Sequence, residues 1–348
     1  MIKIQNIYYM LAYAFRVLKE QSYKSIEAEQ FDNAAELLSA ILIKGISVEL
    51  KRGLGKEYIS KSEPLSSLRG KIDISSSIKT RTIQNKQLVC DFDEFSVDSY
   101  MNRILKTTIG LLIGSDISKM RKKELRKLWI FFFDVSTLDP YSINWRLHYN
   151  RNNQTYQMLI SVCYLIIKGL VHTKNKGSTK LADFIDEQRM CRLYEKFILE
   201  YYRKEFPDIK TSSSQIAWQL DDDFSEMLPI MQSDIMLLCG DKTLIIDAKY
   251  YTHTMQTNSE YDSRTMHSHN LYQIFTYVKN QDKTATGNVS GMLLYAKTDE
   301  KITPDHKYLM SGNQISVKTL DLNCDFSEIS KQLDDIACCY FTQTPKRR

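Results

Sequence analysis

"SDIMLLCGDKTLIIDAKYY", Ser233–Tyr251, decides how this chain is read. Two apolar runs flank Gly240-Asp241-Lys242, a turn signal, so the stretch predicts a β-hairpin. Alternation along the second arm puts Ile245, Asp247 and Lys249 on one face and Leu244, Ile246 and Ala248 on the other. A strand apolar enough to be buried therefore ends in an acid and an amine side by side. Burying that pair is costly unless a metal ion, a plain salt bridge or exposure at the strand tip compensates.

Asp234 lies on the first arm, and a hairpin brings it near Asp247. Two carboxylates and a backbone carbonyl, here that of Ala248, make a hard, all-oxygen site suited to Mg²⁺. Such an ion polarises a phosphodiester oxygen and lowers the pKa of a bound water. A neighbouring Lys249 would position that water or stabilise charge building on phosphorus. Upstream, "RMCRLYEKFILEYYRKEF" is an amphipathic helix with Leu193, Tyr194, Phe197, Ile198 and Tyr201 on one stripe. Glu195 and Glu200 flank that stripe, and either is placed to join the carboxylates. Downstream, the helix "HNLYQIFTYVKN" sets Gln273 and Tyr277 one turn apart on one face. The strand "GMLLYAK" follows. Helix, strand, strand, helix, strand predicts an α/β (α+β) fold with a mixed sheet flanked by helices.

The N-terminal half reads differently. "NIYYMLAYAFRVL" has helical spacing at Ile7, Met10, Leu11, Ala14 and Val17, with Asn6 as N-cap. A second helix runs over Ala34–Leu50 and stops at Gly53 and Gly55. "SLRGKIDISSSIKTRTIQNKQLVCDFDEFSVDS" is rich in Ser and Thr and reads as extended hairpins, with Arg69, Gly70 and Lys71 at a tip. "YMNRILKTTIGLLI" and the basic "SKMRKKELRKLWIFF" return to helix; interleaved Leu125 and Leu128 make the latter a solvated face. The polar, turn-rich segment 139–153 marks the expected boundary. It gives an N-terminal domain 1–150 of helices and hairpins and a C-terminal domain 151–348 that opens with the apolar helix "YQMLISVCYLIIKGL".

Composition narrows the class. The chain has 348 residues, 43% hydrophobic, enough for two cores. Its net charge of +5 permits an anionic partner without demanding one. Seven cysteines form no CxxC pair, and an odd number argues against a disulfide framework, so a reducing cytoplasm is expected. No run of about 20 apolar residues would span a membrane. "KRGLGKEY" lacks the spacing and the hydroxyl residue of a phosphate-binding loop, so nucleotide hydrolysis would belong to another polypeptide. His267 and His269 straddle Ser268 without a third ligand in view and read as a surface loop.

The order helix Glu, strand Asp234, Asp247-Ala248-Lys249, then Gln273 to Tyr277 resembles the PD-(D/E)XK nuclease superfamily. Ser233 stands where that signature often has Pro. Across nearly the full length, "NIYYMLAYAF", "LRGKIDI", "MNRILKTTI", "LYEKFILEYY", "LIIDAKYY" and "HNLYQIFTY" resemble the McrC family, the nuclease subunits of McrBC modification-dependent restriction systems. The resemblance implies a Mg²⁺-dependent endonuclease cutting double-stranded, methylcytosine-containing DNA. It implies catalytic Asp234, Asp247 and Lys249, metal ligands among Asp234, Asp247, the Ala248 carbonyl and Glu195 or Glu200, and supporting Gln273 and Tyr277. It also implies an N-terminal domain, Arg69–Lys71 included, that docks to a hexameric McrB-type AAA+ GTPase. That partner binds the GTP, and this chain stimulates its hydrolysis. Two other readings stand beside it: a non-catalytic activator of the GTPase on a nuclease-like fold, and a stand-alone repair or phage nuclease. The intact Asp234, Asp247 and Lys249 favour cleavage, and the N-terminal half argues against a stand-alone enzyme.

Overall fold

The runs Leu244–Ile246 and Met292–Tyr295 are wholly buried, as strands covered on both faces must be. Both are central strands in a computed structural model of the chain, which describes residues 2–15, 18, 23, 26, 29–150, 153–175, 187–222, 224–251, 255–258, 263–297 and 303–341. Two units emerge, Ala35–Asp183 and Met1–Ala34 with Phe184–Arg348. The packing therefore does not divide the chain at Asn150. The first helix, α1 (Ile4–Ala14), belongs with the C-terminal part, and the apolar helix after residue 153 belongs with the N-terminal part. The turn-rich segment that suggested a boundary is fastened inside one unit. Leu138 N donates to Thr107 Oγ1 at 2.9 Å, Asn144 N donates to Tyr100 Oη at 2.8 Å, and the Trp145 ring meets Tyr164 edge-on. Arg151 and Asn152 of that segment lie outside the described residues.

In the unit Ala35–Asp183, α2 (Ala34–Arg52) leads to β1 (Glu57–Leu65), β2 (Lys71–Asp73), α3 (Ile74–Lys79) and β3 (Leu88–Ser96). Helices α4 (Tyr100–Ile113), α5 (Lys119–Trp129) and α6 (Gln154–Asn175) follow. β3 pairs antiparallel with β1 on one side and β2 on the other. Arg69–Lys71 is thus not the tip of a hairpin between paired strands. Gly70 holds φ +69°, and a Cβ there would meet the Asp91 carbonyl at 2.2 Å, so only glycine fits. The extended reading fails beyond Asp73, whose carboxylate accepts from Ser76 N at 3.0 Å and Ser76 Oγ at 2.6 Å. That is an N-cap, and it starts α3 where a strand was expected. Around α4, Tyr156 Oη donates to Asn102 Oδ1 and accepts from Gly55 N, while Asn102 Nδ2 donates to the carbonyls of Gly55 and Val97. Leu125 and Leu128 are buried as α5 requires, but Arg121 turns inward to Glu36 and Glu124.

In the other unit, α7 (Glu187–Glu205) precedes β4 (Lys210–Ser212) and the short pair β5 (Gln215–Ile216) and β6 (Met231–Gln232). The hairpin β7 (Ile235–Cys239) and β8 (Lys242–Lys249) comes next, then the ladder β9 (Met255–Asn258) and β10 (Ser263–Met266). The unit ends with α8 (Ser268–Gln281), β11 (Val289–Ala296), β12 (His306–Met310), β13 (Asn313–Leu320) and α9 (Phe326–Tyr340). Among the described residues, six strands form one sheet in the order β12-β13-β11-β8-β7-β4. β8, β11 and β13 run parallel, and the outer pairs are antiparallel. Ile274, Tyr277 and Val278 of α8 cover the face bearing Ile245, Leu293 and Ile315. Gly291 permits this approach, because a Cβ there would lie 2.8 Å from Ile274 and Val278. α7 and α9 are joined by Tyr201 and Tyr202, whose hydroxyls donate to the carbonyls of Ser330 and Leu333.

Helix α1 packs on α7, with Ile7, Met10, Leu11 and Ala14 buried; Val17 lies outside the described residues. Asn6 is not its N-cap. It sits within the helix, and its amide donates to the carbonyls of Leu322 and Cys324 at 2.8 and 2.9 Å. All seven cysteines are free thiols. Among the described residues, no helix is long and apolar enough to cross a membrane.

Candidate active site

β7 and β8 pair with Ile235 opposite Ile246, which sets Asp234 across from Asp247 at the open end of the hairpin. Asp234 Oδ2 accepts a hydrogen bond from the Ala248 amide at 3.0 Å. Lys249 Nζ lies 2.9 Å from both carboxylate oxygens of Asp247, with hydrogen-bond geometry to Oδ1. The expected same-face pairing of Asp247 and Lys249 is therefore met.

Asp247 is only 1% exposed, and its Oδ2 has no hydrogen-bond partner. Burial, opposed by Lys249 and helped by Asp234, holds this carboxyl up at about 7. Burial opposes the charge on Lys249, but Asp247 outweighs it and holds the ammonium above its usual range. The lysine stays a cation in a place that would otherwise neutralise it.

Glu195 approaches from α7. Burial raises its carboxyl, and the Asp234 charge raises it further. One turn earlier, Cys191 Sγ donates to Glu195 Oε1 at 3.1 Å and faces the Ala248 carbonyl at 3.8 Å. Burial pushes that thiol up to about 12, so it remains protonated. Glu200 faces elsewhere and pairs with Arg203 at 2.6 Å. Of the two helix acids, Glu195 is the one beside the strand residues.

The oxygen donors Asp234, Asp247, Glu195 and the Ala248 carbonyl suit a hard divalent cation. Asp247 Oδ2 is buried and makes no aligned hydrogen bond, although the Lys249 ammonium lies 2.9 Å away, and a divalent cation would complete its surroundings. Among the described residues, no three His, Cys, Asp or Glu side chains already stand in metal-binding geometry. Lys249 takes one side of Asp247, and the Cys191 thiol stands between Glu195 and the Ala248 carbonyl.

Gln273 Nε2 donates to Tyr277 Oη at 2.9 Å, so the two residues expected to share a helix face do so, and Tyr277 is buried against the sheet. His267 directly precedes α8, and its ring lies 5.6 Å from that of His269. Four residues near the site went unread in the sequence. Cys191 stands one helical turn before Glu195. Tyr251 lies two residues past the end of β8. Tyr295 pairs with Lys249 in the register of β11 on β8, and Asn270 bonds to its hydroxyl. Nearness to Lys249 in sequence would have found Tyr251; the other three depend on contacts between distant segments.

A mixed sheet between helices, with an Asp at one strand's start and Asp-x-Lys closing its hairpin partner, is the arrangement of the PD-(D/E)XK endonuclease fold class. The family described as "McrBC 5-methylcytosine restriction system component" matches residues 3–296, and the chain belongs to it. It is 31% identical over 342 residues to the Type IV methyl-directed restriction enzyme EcoKMcrBC of Escherichia coli (strain K12), covering 96% of this chain and 97% of that protein. Among solved structures, it is similar to a half-complex from a tetradecameric assembly of Thermococcus gammatolerans McrB AAA+ hexamers with bound McrC. The TM-score there is 0.47 at 17% identity, over 96% of this chain and 76% of that one. A second Thermococcus gammatolerans McrBC complex gives a TM-score of 0.39 at 20% identity, over 57% of this chain and 56% of that one.

Proposed function

We propose that this chain is the Mg²⁺-dependent DNA endonuclease subunit of a GTP-dependent, modification-directed restriction complex in the cytoplasm. The observation that carries the reading is the buried Asp247, paired with Lys249 through both carboxylate oxygens, with Asp234 across the hairpin. Asp234, Asp247, the Ala248 carbonyl and Glu195 would hold Mg²⁺, which when bound polarises the scissile phosphodiester and acidifies a water. The chain's own residues do the rest. Asp247 fixes the Lys249 ammonium at one point, where it can meet negative charge growing on a phosphate oxygen. The Ala248 amide fixes the orientation of Asp234, and one carboxylate oxygen remains for a ligand. Glu195, set beside the Ala248 carbonyl through Cys191, adds a third carboxylate to these donors.

The family description and the methyl-directed Escherichia coli relative support 5-methylcytosine-bearing DNA as substrate; in this reading the DNA is double-stranded and the partner is a hexameric McrB-type AAA+ GTPase. The sequence offers no phosphate-binding loop of its own. The unit Ala35–Asp183 supplies the docking surface in this reading. The elements flanking Arg69, Gly70 and Lys71 expose Tyr58, Leu68, Ile74, Ile78 and Phe95, which suits a protein partner. Arg69 stacks on the Phe92 ring at 4.5 Å, giving that turn a fixed shape. The test is cleavage of methylated plasmid by the chain mixed with its GTPase partner, GTP and Mg²⁺, wild type against Asp247→Ala. Equal cleavage by both would mean that Asp247 does not carry the reaction.

A further inference from the structure

Lys249 is a flexible side chain, and Asp247 alone fixes only its tip. The register places Tyr295 directly beside Lys249 on the neighbouring strand, and Tyr251, two residues past the end of β8, packs against the cluster that holds Tyr295. The two tyrosine rings lie 6.2 Å apart. One amide joins them. Asn270 Nδ2 donates to Tyr295 Oη at 3.0 Å, and Asn270 Oδ1 accepts from Tyr251 Oη in a longer contact of 3.4 Å. Asn270 is 1% exposed and Tyr295 is fully buried. The Tyr295 hydroxyl feels both Asp247 and Lys249: burial raises it most, Asp247 adds to the rise, and Lys249 opposes it.

We infer that Asn270 is a positioning residue: by tying Tyr295 to Tyr251 it fixes the wall beside Lys249, and so the place of the ammonium relative to Asp247. The inference rests on the nuclease reading of Asp247 and Lys249. The chemistry requires an amide. A carboxylate would lack the donor to Tyr295 and add a buried charge near two acids, and an aliphatic side chain would leave both hydroxyls unjoined. Misplacement of a catalytic group by about 1 Å costs up to about 100-fold in rate, so a second-layer bond of this kind is worth measuring.

The experiment uses the full chain with its GTPase partner and compares Asn270→Ala, Tyr295→Phe and the double variant for DNA cleavage, GTPase stimulation and melting temperature. Each single variant is expected to lower kcat about 10-fold or more, with KM within about 2-fold and GTPase stimulation unchanged. The double variant should be no worse than the worse single one, because both cut the same link. Wild-type kcat in Asn270→Ala, or losses that multiply in the double variant, overturns the inference. Should Asn270→Ala melt well below wild type, Tyr295→Phe decides, since it keeps the ring and removes only the hydroxyl; unchanged kcat there also overturns it. Asp247→Ala runs alongside. Full cleavage by that variant would sink the assignment of Asp247 and Lys249 on which the inference rests, whereas loss there with no change at Asn270 sinks only the positioning role.

Discussion

Asp234 accepts a hydrogen bond from the backbone amide of Ala248, the residue between Asp247 and Lys249, at 3.0 Å. One acid is thereby locked to the strand that carries the other acid and the amine. The three functional groups move as one piece, because a shift of β7 against β8 would break that bond.

Asp247→Ala should abolish DNA cleavage while GTPase stimulation continues, because the variant removes a carboxylate of the proposed metal site and leaves the other unit untouched. Calorimetric titration with Mg²⁺ gives an independent readout, with heat in the wild type and none in the variant. Cleavage at the wild-type rate would remove Asp247 from the site.

Lys249→Ala should still bind Mg²⁺ but cleave about 100-fold more slowly, the usual scale for one lost electrostatic stabiliser. Lys249→Arg should not restore the rate, because a planar fork does not reproduce a compact ammonium packed 2.9 Å from a buried acid. Rescue by arginine would reduce the role of Lys249 to charge alone.

The helix acids separate cleanly. Glu195→Gln should slow cleavage, since Glu195 feels the charge of Asp234 and lies beside the Ala248 carbonyl through Cys191. Glu200→Gln should leave the rate unchanged, because its partner is Arg203. The reverse pattern in a single-turnover assay would reassign the site.

A fragment of residues 1–150 should fail to fold, because it lacks α6, whose Met158, Leu159, Val162 and Cys163 are fully buried. A fragment of residues 35–175 should fold, bind the GTPase partner and raise its hydrolysis without cutting DNA. Circular dichroism and phosphate release check both. A well-folded 1–150 fragment would mean that the apolar helix is dispensable to its unit.

Acid stability should depend on Asp282, which accepts from Thr286 N, Thr286 Oγ1, Gly287 N and Asn313 Nδ2. Burial raises its carboxyl, but those hydrogen bonds outweigh it and bring it down to about 2 from an ordinary 3.8. The folded value is depressed, so its stabilisation is full above the unfolded value and fades as pH falls toward the folded one. Asp282→Asn should melt lower at neutral pH and lose less than wild type between about pH 4 and pH 2. Parallel melting curves for the two proteins across that range would contradict it.

The hairpin and its residues were legible because period-2 alternation, a glycine turn and an Asp-x-Lys ending are all local. The stripe on α7 and the Gln273–Tyr277 pair were legible through helical spacing. Residues 74–79 were misread because Ser and Thr suit strands and turns alike; only the Asp73–Ser76 cap decides for helix. The unit boundary was misread because polarity marks surface, and a surface loop fastened to α4 looks like a linker in sequence. Asn6 was misread for a related reason: its partners, Leu322 and Cys324, lie at the other end of the chain. The choice between Glu195 and Glu200 needed the docking of α7 on the sheet, which no local pattern encodes.

The docking of Asn6 on the carbonyls of Leu322 and Cys324 has a consequence for biosynthesis. A growing chain emerges amino-terminus first, so α1 leaves the ribosome well before α7 and α9. Its place against α7 and the start of α9 does not exist until residues beyond 320 have been made. In the interval every residue of the unit Ala35–Asp183 is already made, while α1 waits at the far end of a long loop whose closure grows only slowly costlier with length. An interrupted translation product would therefore hold every residue of Ala35–Asp183 while α1 still lacked its seat.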